Sequence, residues 1–164
     1  MSSLRVKILV LSDGCFHGKR EDVSGPALRD AVRAKGWHAL ALEVLPDDAA
    51  QIREQLTSWC EDGDCDLVLT SGGTGAAPRD VTPEATRAVV EKELPGLAEL
   101  MRAEGVKKTR RAALSRGIGG VRHGTLIVNL PGSPRGALQS LESVQDLLEH
   151  AVDVCQGRTE HKGP

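Results

Sequence analysis

The sequence predicts an α/β sandwich built on a mostly parallel central sheet. Four short apolar runs of strand length alternate with segments whose apolar residues recur every three and four positions. Each run closes in turn-forming residues that lead straight into the next segment. No linker, repeat or low-complexity tract interrupts the 164 residues, so one domain is expected over 1–155, with a polar tail over 156–164. Strands that alternate with helices favour crossover connections and therefore parallel pairing.

Val6-Lys7-Ile8-Leu9-Val10-Leu11-Ser12 is the first run, closed by Asp13-Gly14, and reads as a strand buried on both faces. A polar loop leads to Ser24-Gly25-Pro26. Ala27, Leu28, Ala31, Val32 and Ala34 then keep helical spacing until Lys35-Gly36 stops them. Ala39 to Leu45 is the second strand, closed by Pro46. Asp47 or Asp48 caps the next helix, whose apolar positions are Ala49, Ile52, Leu56, Trp59 and Cys60. Leu67 to Thr70 is the third strand and runs into Ser71-Gly72-Gly73-Thr74-Gly75. Thr82-Pro83 opens a helix, with Thr as cap and Pro at the first position, spanning Glu84 to Leu94. Pro95 ends it before a further helical stretch from Leu97 to Ala103. Lys107 to Arg122 is basic and glycine-rich, with a short helix expected over Arg110 to Leu114. Thr125 to Leu130 is the fourth strand. Ser133 caps the last helix, Pro134 starts it, and Ala137, Leu138, Leu141, Val144, Leu148, Ala151 and Val152 form its stripe.

Phe16, Trp37 and Trp59 are the only Phe, Trp or Tyr residues, so Leu, Val, Ile and Ala must build the core. Twenty-one Lys and Arg stand against 23 Asp and Glu, a net charge of −2. That balance argues against a nucleic-acid binder, and the scarce rings argue against binding single strands by stacking. No apolar run approaches the roughly 20 residues of a membrane span. Ile8 to Leu11 is too short for a signal peptide, so a cytoplasmic location is expected. The four cysteines, Cys15, Cys60, Cys65 and Cys155, are expected as reduced structural thiols, because no zinc-ligand spacing accompanies them.

In parallel sheets, ligands collect beyond the C-terminal ends of the strands. Gly72-Gly73-Thr74-Gly75 there serves either as a plain tight turn or as a backbone cradle for an anion. It lacks the Lys-Ser/Thr of a P-loop, and Pro78 occupies the place of a third dinucleotide-motif glycine. Pro131-Gly132-Ser133-Pro134 at another strand end is either a capped helix start or a phosphate site. Asp47 and Asp80 fall on loops at the same edge. Two carboxylates beside a phosphate site suit Mg²⁺, whereas a helix cap or a surface pair with Arg79 accounts for them singly. Lys107, Lys108, Arg110, Arg111, Arg116 and Arg122 are the one basic concentration, either a solvated face or an attraction for a polyanion.

Four blocks, in order, resemble the MogA/MoaB family of molybdenum-cofactor biosynthesis. They are Leu69 to Gly75, Arg79-Asp80-Val81-Thr82-Pro83-Glu84-Ala85-Thr86, Leu114-Ser115-Arg116 with Gly119-Gly120-Val121, and Leu126 to Pro134. Pro46-Asp47 falls where that family has an acidic residue after its second strand. The likeness runs from Val6 to about Val154. Gly14-Cys15 and Ser71 depart mildly from the pattern. The resemblance implies a three-layer α/β sandwich that assembles as a homotrimer or hexamer and meets a molybdenum-insertion protein. It implies molybdopterin and ATP as substrates, Mg²⁺ as cofactor, and transfer of AMP to the pterin's phosphate with release of pyrophosphate. Asp47 and Asp80 map onto the essential, metal-positioning carboxylates. Thr70, Ser71, Gly72, Gly73, Thr74, Gly75, Ser115, Arg116, Pro131, Gly132 and Ser133 map onto the substrate-binding turns. Paralogues that only carry the pterin usually lack the Arg-Asp-Val-Thr-Pro block, which is complete here. A pyridine-nucleotide salvage relative would have a further amidase-like domain.

Overall fold

The computed structural model describes residues 3–158. The strands are β1 (Arg5–Leu11), β2 (His38–Leu45), β3 (Leu67–Ser71), β4 (Lys92–Glu93), β5 (Gly119–Arg122) and β6 (Thr125–Leu130). The helices are α1 (Asp13–Phe16), α2 (Ser24–Ala34), α3 (Ala49–Asp62), α4 (Thr82–Val89), α5 (Pro95–Val106) and α6 (Pro134–Cys155), with a 3-10 turn at Arg110–Leu114. One sheet has the order β2-β1-β3-β6-β5-β4. Its first four members are parallel, whereas β5 and β4 add antiparallel at one edge.

Strand alternation sorts the core into two layers. Val6, Ile8, Leu67, Leu69, Leu126 and Val128 face α2, α5 and α6. Leu9, Leu11, Val68 and Ile127 face α3 and α4. The expected three-layer sandwich is therefore the observed one. The buried Trp37 donates its indole N–H to Glu149 Oε1 at 2.8 Å, tying the start of β2 to α6. No helix among the described residues is long and apolar enough to cross a membrane. The four cysteines are free thiols, and burial pushes Cys60 and Cys65 up to about 12 and about 11, so both stay protonated.

Several elements differ from the sequence reading. Among the described residues there are six strands rather than four. The helix expected to reach Leu94 stops at Val89, because Val90 turns extended and Glu91 N–H bonds Val121 O at 2.8 Å. Thr82 does not cap α4. It lies inside the helix, and its buried hydroxyl has no partner among the described residues. Asp48, not Asp47, caps α3, accepting from Gln51 N–H at 2.9 Å. In the tail, Gln156 Nε2 donates to Asp66 and to Gly124 O, while residues 159–164 lie outside the described part.

Candidate active site

The C-terminal ends of the parallel strands open onto a cleft of about 490 Å³. Ser12 and Cys15 follow β1 into it, Asp47 follows β2, Ser71 ends β3 with Gly72, Gly73 and Asp80 after it, and Gly132, Ser133 and Pro134 follow β6. The segment Arg20 to Ser24 forms a side wall. Gly72 and Gly73 have φ of 108° and 67°, a backbone that a side chain would oppose. Their turn is stitched to the β6 turn: Gly72 N–H bonds Leu130 O at 3.1 Å, and the Ser71 hydroxyl donates to Pro131 O at 2.8 Å. The Ser24 hydroxyl donates to Gly132 O at 2.7 Å from the wall. Ser133 caps α6 by accepting from Gly136 N–H at 3.0 Å, so the positive end of a 22-residue helix opens on the cleft.

Asp47 is held by Asp13. Asp13 N–H donates to Asp47 Oδ2 at 3.1 Å, and Asp47 N–H donates to Asp13 Oδ1 at 3.0 Å. Arg79 then donates Nε and Nη2 to the two Asp13 oxygens, both at 2.9 Å. The Arg79 guanidinium and the Asp47 N–H hold the Asp13 carboxyl below its ordinary value. Asp47 moves the other way. Burial raises it, and the charges of Asp13 and Asp80 add to that, against the Asp13 N–H bond and Arg79. Asp80 thus acts on Asp47 across the cleft, although its own Oδ2 accepts from Ala77 N–H at 2.9 Å. Asp47 Oδ1 is buried and has no partner among the described residues. A Cβ on Gly73 would stand 3.2 Å from it, and a Cβ on Gly75 would stand 2.8 Å from Asp80 Oδ2.

The structure brings Asp47, Asp80, Ser71, Gly72, Gly73, Gly132 and Ser133 to one cleft, but not the rest of the expected set. Thr70 is fully buried and accepts from Asn129 Nδ2 at 3.0 Å. Thr74 is buried behind the turn. Arg116 is committed within the protein: its N–H bonds Thr74 O at 2.8 Å, Nε bonds Gly75 O at 2.8 Å, Nη2 bonds Asp80 O at 3.0 Å, and Nη1 pairs with Glu84. Ser115 and Pro131 line a separate cavity of about 40 Å³. Phe16 is exposed, with its ring edge-on to His17, and lies outside the cleft lining. Arg79 pairs with Asp13, not with Asp80. The sequence offers Asp13 only as a residue closing the first strand and Arg79 only as a neighbour of Asp80 within a motif block, whereas Arg20 carries no reading there. Their one legible signal is placement beside strand-end turns.

The donor set suits a hard divalent cation. Asp47 offers an unpartnered carboxylate oxygen, and Asp80 faces the same space. Among the described residues no three His, Cys, Asp or Glu side chains converge, so the remaining donors would be substrate oxygens and water.

Residues 7–150 match the family described as "Probable molybdopterin binding domain". The molybdopterin adenylyltransferase of Helicobacter pylori (strain J99) is 39% identical over 159 residues, 96% of this chain and 90% of that protein. The molybdenum cofactor synthesis protein cinnamon of Drosophila melanogaster is 40% identical over 155 residues, 94% of this chain but 26% of that longer protein. The crystal structure of the molybdopterin biosynthesis enzyme MoaB from Thermus thermophilus superposes with a TM-score of 0.89 at 50% identity, covering 94% of this chain and 97% of that one. A whole-domain match, a shared fold and a cleft at the motif-bearing turns agree: the chain belongs to the MogA/MoaB molybdopterin-binding family of molybdenum-cofactor biosynthesis.

Proposed function

We propose that the chain adenylylates molybdopterin. A phosphate oxygen of molybdopterin forms a bond to the α-phosphorus of ATP, the bond from that phosphorus to the β-phosphate oxygen breaks, and the electron pair leaves with pyrophosphate. The nucleophile is already ionised near neutral pH, so no strong base is required. The difficulty is charge, since two polyanions must meet in one cleft.

The unpartnered oxygen of Asp47, set opposite Asp80 beside the Gly72-Gly73 turn, is the observation that supports this reading best. Asp47 and Asp80 would hold Mg²⁺, which when bound offsets the triphosphate and pyrophosphate charge. Backbone N–H groups at the glycine turn and the start of α6 orient phosphates, with Ser133 as a further donor. Arg116 acts from behind by fixing Gly75 and Asp80 through their carbonyls. With Trp37 and Trp59 buried, the flat pterin and adenine rest on aliphatic walls. ATP and a labile dithiolene fit a cytoplasmic reaction. The family resemblance favours a homotrimer or hexamer, from which product passes to a molybdenum-insertion partner, and Val106, Leu114 and Leu138 are exposed apolar side chains that an assembly would cover.

Purified protein with molybdopterin and Mg·ATP should release pyrophosphate. Asp47→Ala and Asp80→Ala should each cut that rate by about 10²-fold or more, the scale of a lost charge-positioning group. A wild-type protein that binds the pterin and releases no pyrophosphate rejects the proposal.

A further inference from the structure

We infer that Asp13 and Arg79 form a positioning strap that sets the Asp80 loop against Asp47. This rests on the adenylylation reading. Three strand-end loops meet at one carboxylate. Asp13 follows β1, exchanges backbone-to-carboxylate bonds with Asp47 after β2, and receives the two-pronged Arg79 guanidinium from the loop after β3. Arg79 immediately precedes Asp80. The strap therefore connects the two carboxylates of the cleft through two residues, Asp13 and Arg79, that are themselves neither of them.

Among the described residues, the Asp80 side chain has no bond outside its own loop. Asp80 N–H closes a local turn onto Ala77 O at 2.9 Å, and Ala77 N–H returns a bond to Asp80 Oδ2. Both bonds stay within the loop. Arg116 holds the backbone of the loop, through the carbonyls of Thr74, Gly75 and Asp80, and leaves the Asp80 carboxylate untouched. A guanidinium on both oxygens of one carboxylate fixes direction as well as distance, which a lysine could not do.

Stability and activity should separate at this pair. The Arg79 side chain is 66% exposed, and an ion pair so open to water contributes little to folding. Placement is different, because a displacement of about 1 Å at a reacting constellation costs on the order of 10²-fold in rate. A strap of this kind is visible in kcat and nearly silent in melting temperature.

The test compares pyrophosphate release and thermal unfolding for wild type, Asp13→Asn, Arg79→Met, Arg79→Lys and the Asp13→Asn/Arg79→Met double variant. Each of the first two substitutions should lower kcat by roughly 10- to 100-fold with KM for ATP held within about threefold. Their melting temperatures should stay within about 2 °C of wild type. The double variant should be no slower than the slower single, and Arg79→Lys should recover part of the loss. Wild-type kcat in both singles overturns the inference. So does a rise in KM with additive losses, which would mean that Arg79 touches ATP directly. A fall in melting temperature that parallels the activity loss overturns it too, since the pair would then be merely structural. An inactive wild type is a separate result and removes the adenylylation reading itself.

Discussion

The Cα of Gly72 packs directly against the carbonyl oxygen of Leu11, so that a Cβ at residue 72 would lie 2.2 Å from it. The neighbour is backbone of a central strand and cannot swing aside. The φ of 108° adds a second penalty for any side chain. Gly72→Ala should therefore lose about 3 kcal/mol or more in urea unfolding, far above the usual surface substitution. Gly96 supplies the contrast: it lies in α5 with nothing within 4 Å of its would-be Cβ. Gly96→Ala should be neutral or stabilise by up to about 1 kcal/mol. Equal stability of the two variants would show that the turn has room to relax.

Asn129 makes a buried network beneath the same turns. Its Nδ2 donates to Thr70 Oγ1 and Thr86 Oγ1, both at 3.0 Å, and its Oδ1 accepts from Ile118 N–H at 3.2 Å. It thus joins β3, α4 and the start of β5 through one side chain. Asn129→Ala would strand three polar groups away from water. The expected loss is about 3 kcal/mol, built from unsatisfied donors and acceptors plus a cavity. Replacing both hydroxyl partners as well, with Thr70→Val and Thr86→Val, should cost less than the sum of the three single losses. Strict additivity in chemical unfolding would argue that the network has no cooperative element.

The parallel half of the fold was legible because β1, β3 and β6 are continuous apolar runs ending in turns, and because Ser133-Pro134 announces a helix. The antiparallel edge was not. Gly119 and Gly120 read as turn residues, yet a Cβ on Gly120 would come within 2.8 Å of Lys92 O and of Val90. Glycine there serves close strand approach, which no local pattern distinguishes from a loop. Helix α4 ended early for a related reason, since Glu91 pairs with Val121 far along the chain. At the cleft, Asp47, Asp80 and the two turns could be assembled from strand-end topology alone. The contact between Asp13 and Arg79 could not, because 66 residues separate them, and Asp13 opens a helix of only four residues while Arg79 lies in a loop, so neither carries a periodic pattern. Arg116 shows the opposite case: its charge and motif point to a ligand contact, and in the structure its donors meet neighbouring carbonyls and Glu84, partners that no local pattern announces.

Asp66 links stability to pH at the far end of the sheet from the cleft. It is buried at the start of β3 and only 5% exposed. Burial alone would raise its carboxyl, but Arg5 donates from its side chain and its backbone N–H, and Gln156 donates at 3.0 Å. These bonds outweigh the burial and bring the carboxyl from 3.8 down to about 2. A carboxyl whose folded value lies below its unfolded value stabilises the fold at higher pH. That stabilisation is complete above the unfolded value and is lost as pH falls through the folded one. The window is therefore about pH 4 down to about pH 2, and a shift of this size corresponds to roughly 2 kcal/mol. Urea unfolding of wild type and Asp66→Asn across that range should show the gap between them narrowing by about that amount as the solution is acidified. A gap that stays constant from about pH 6 to about pH 2 would mean that the Asp66 charge adds nothing to the fold, and that Arg5 and Gln156 hold the residue by hydrogen-bond geometry alone.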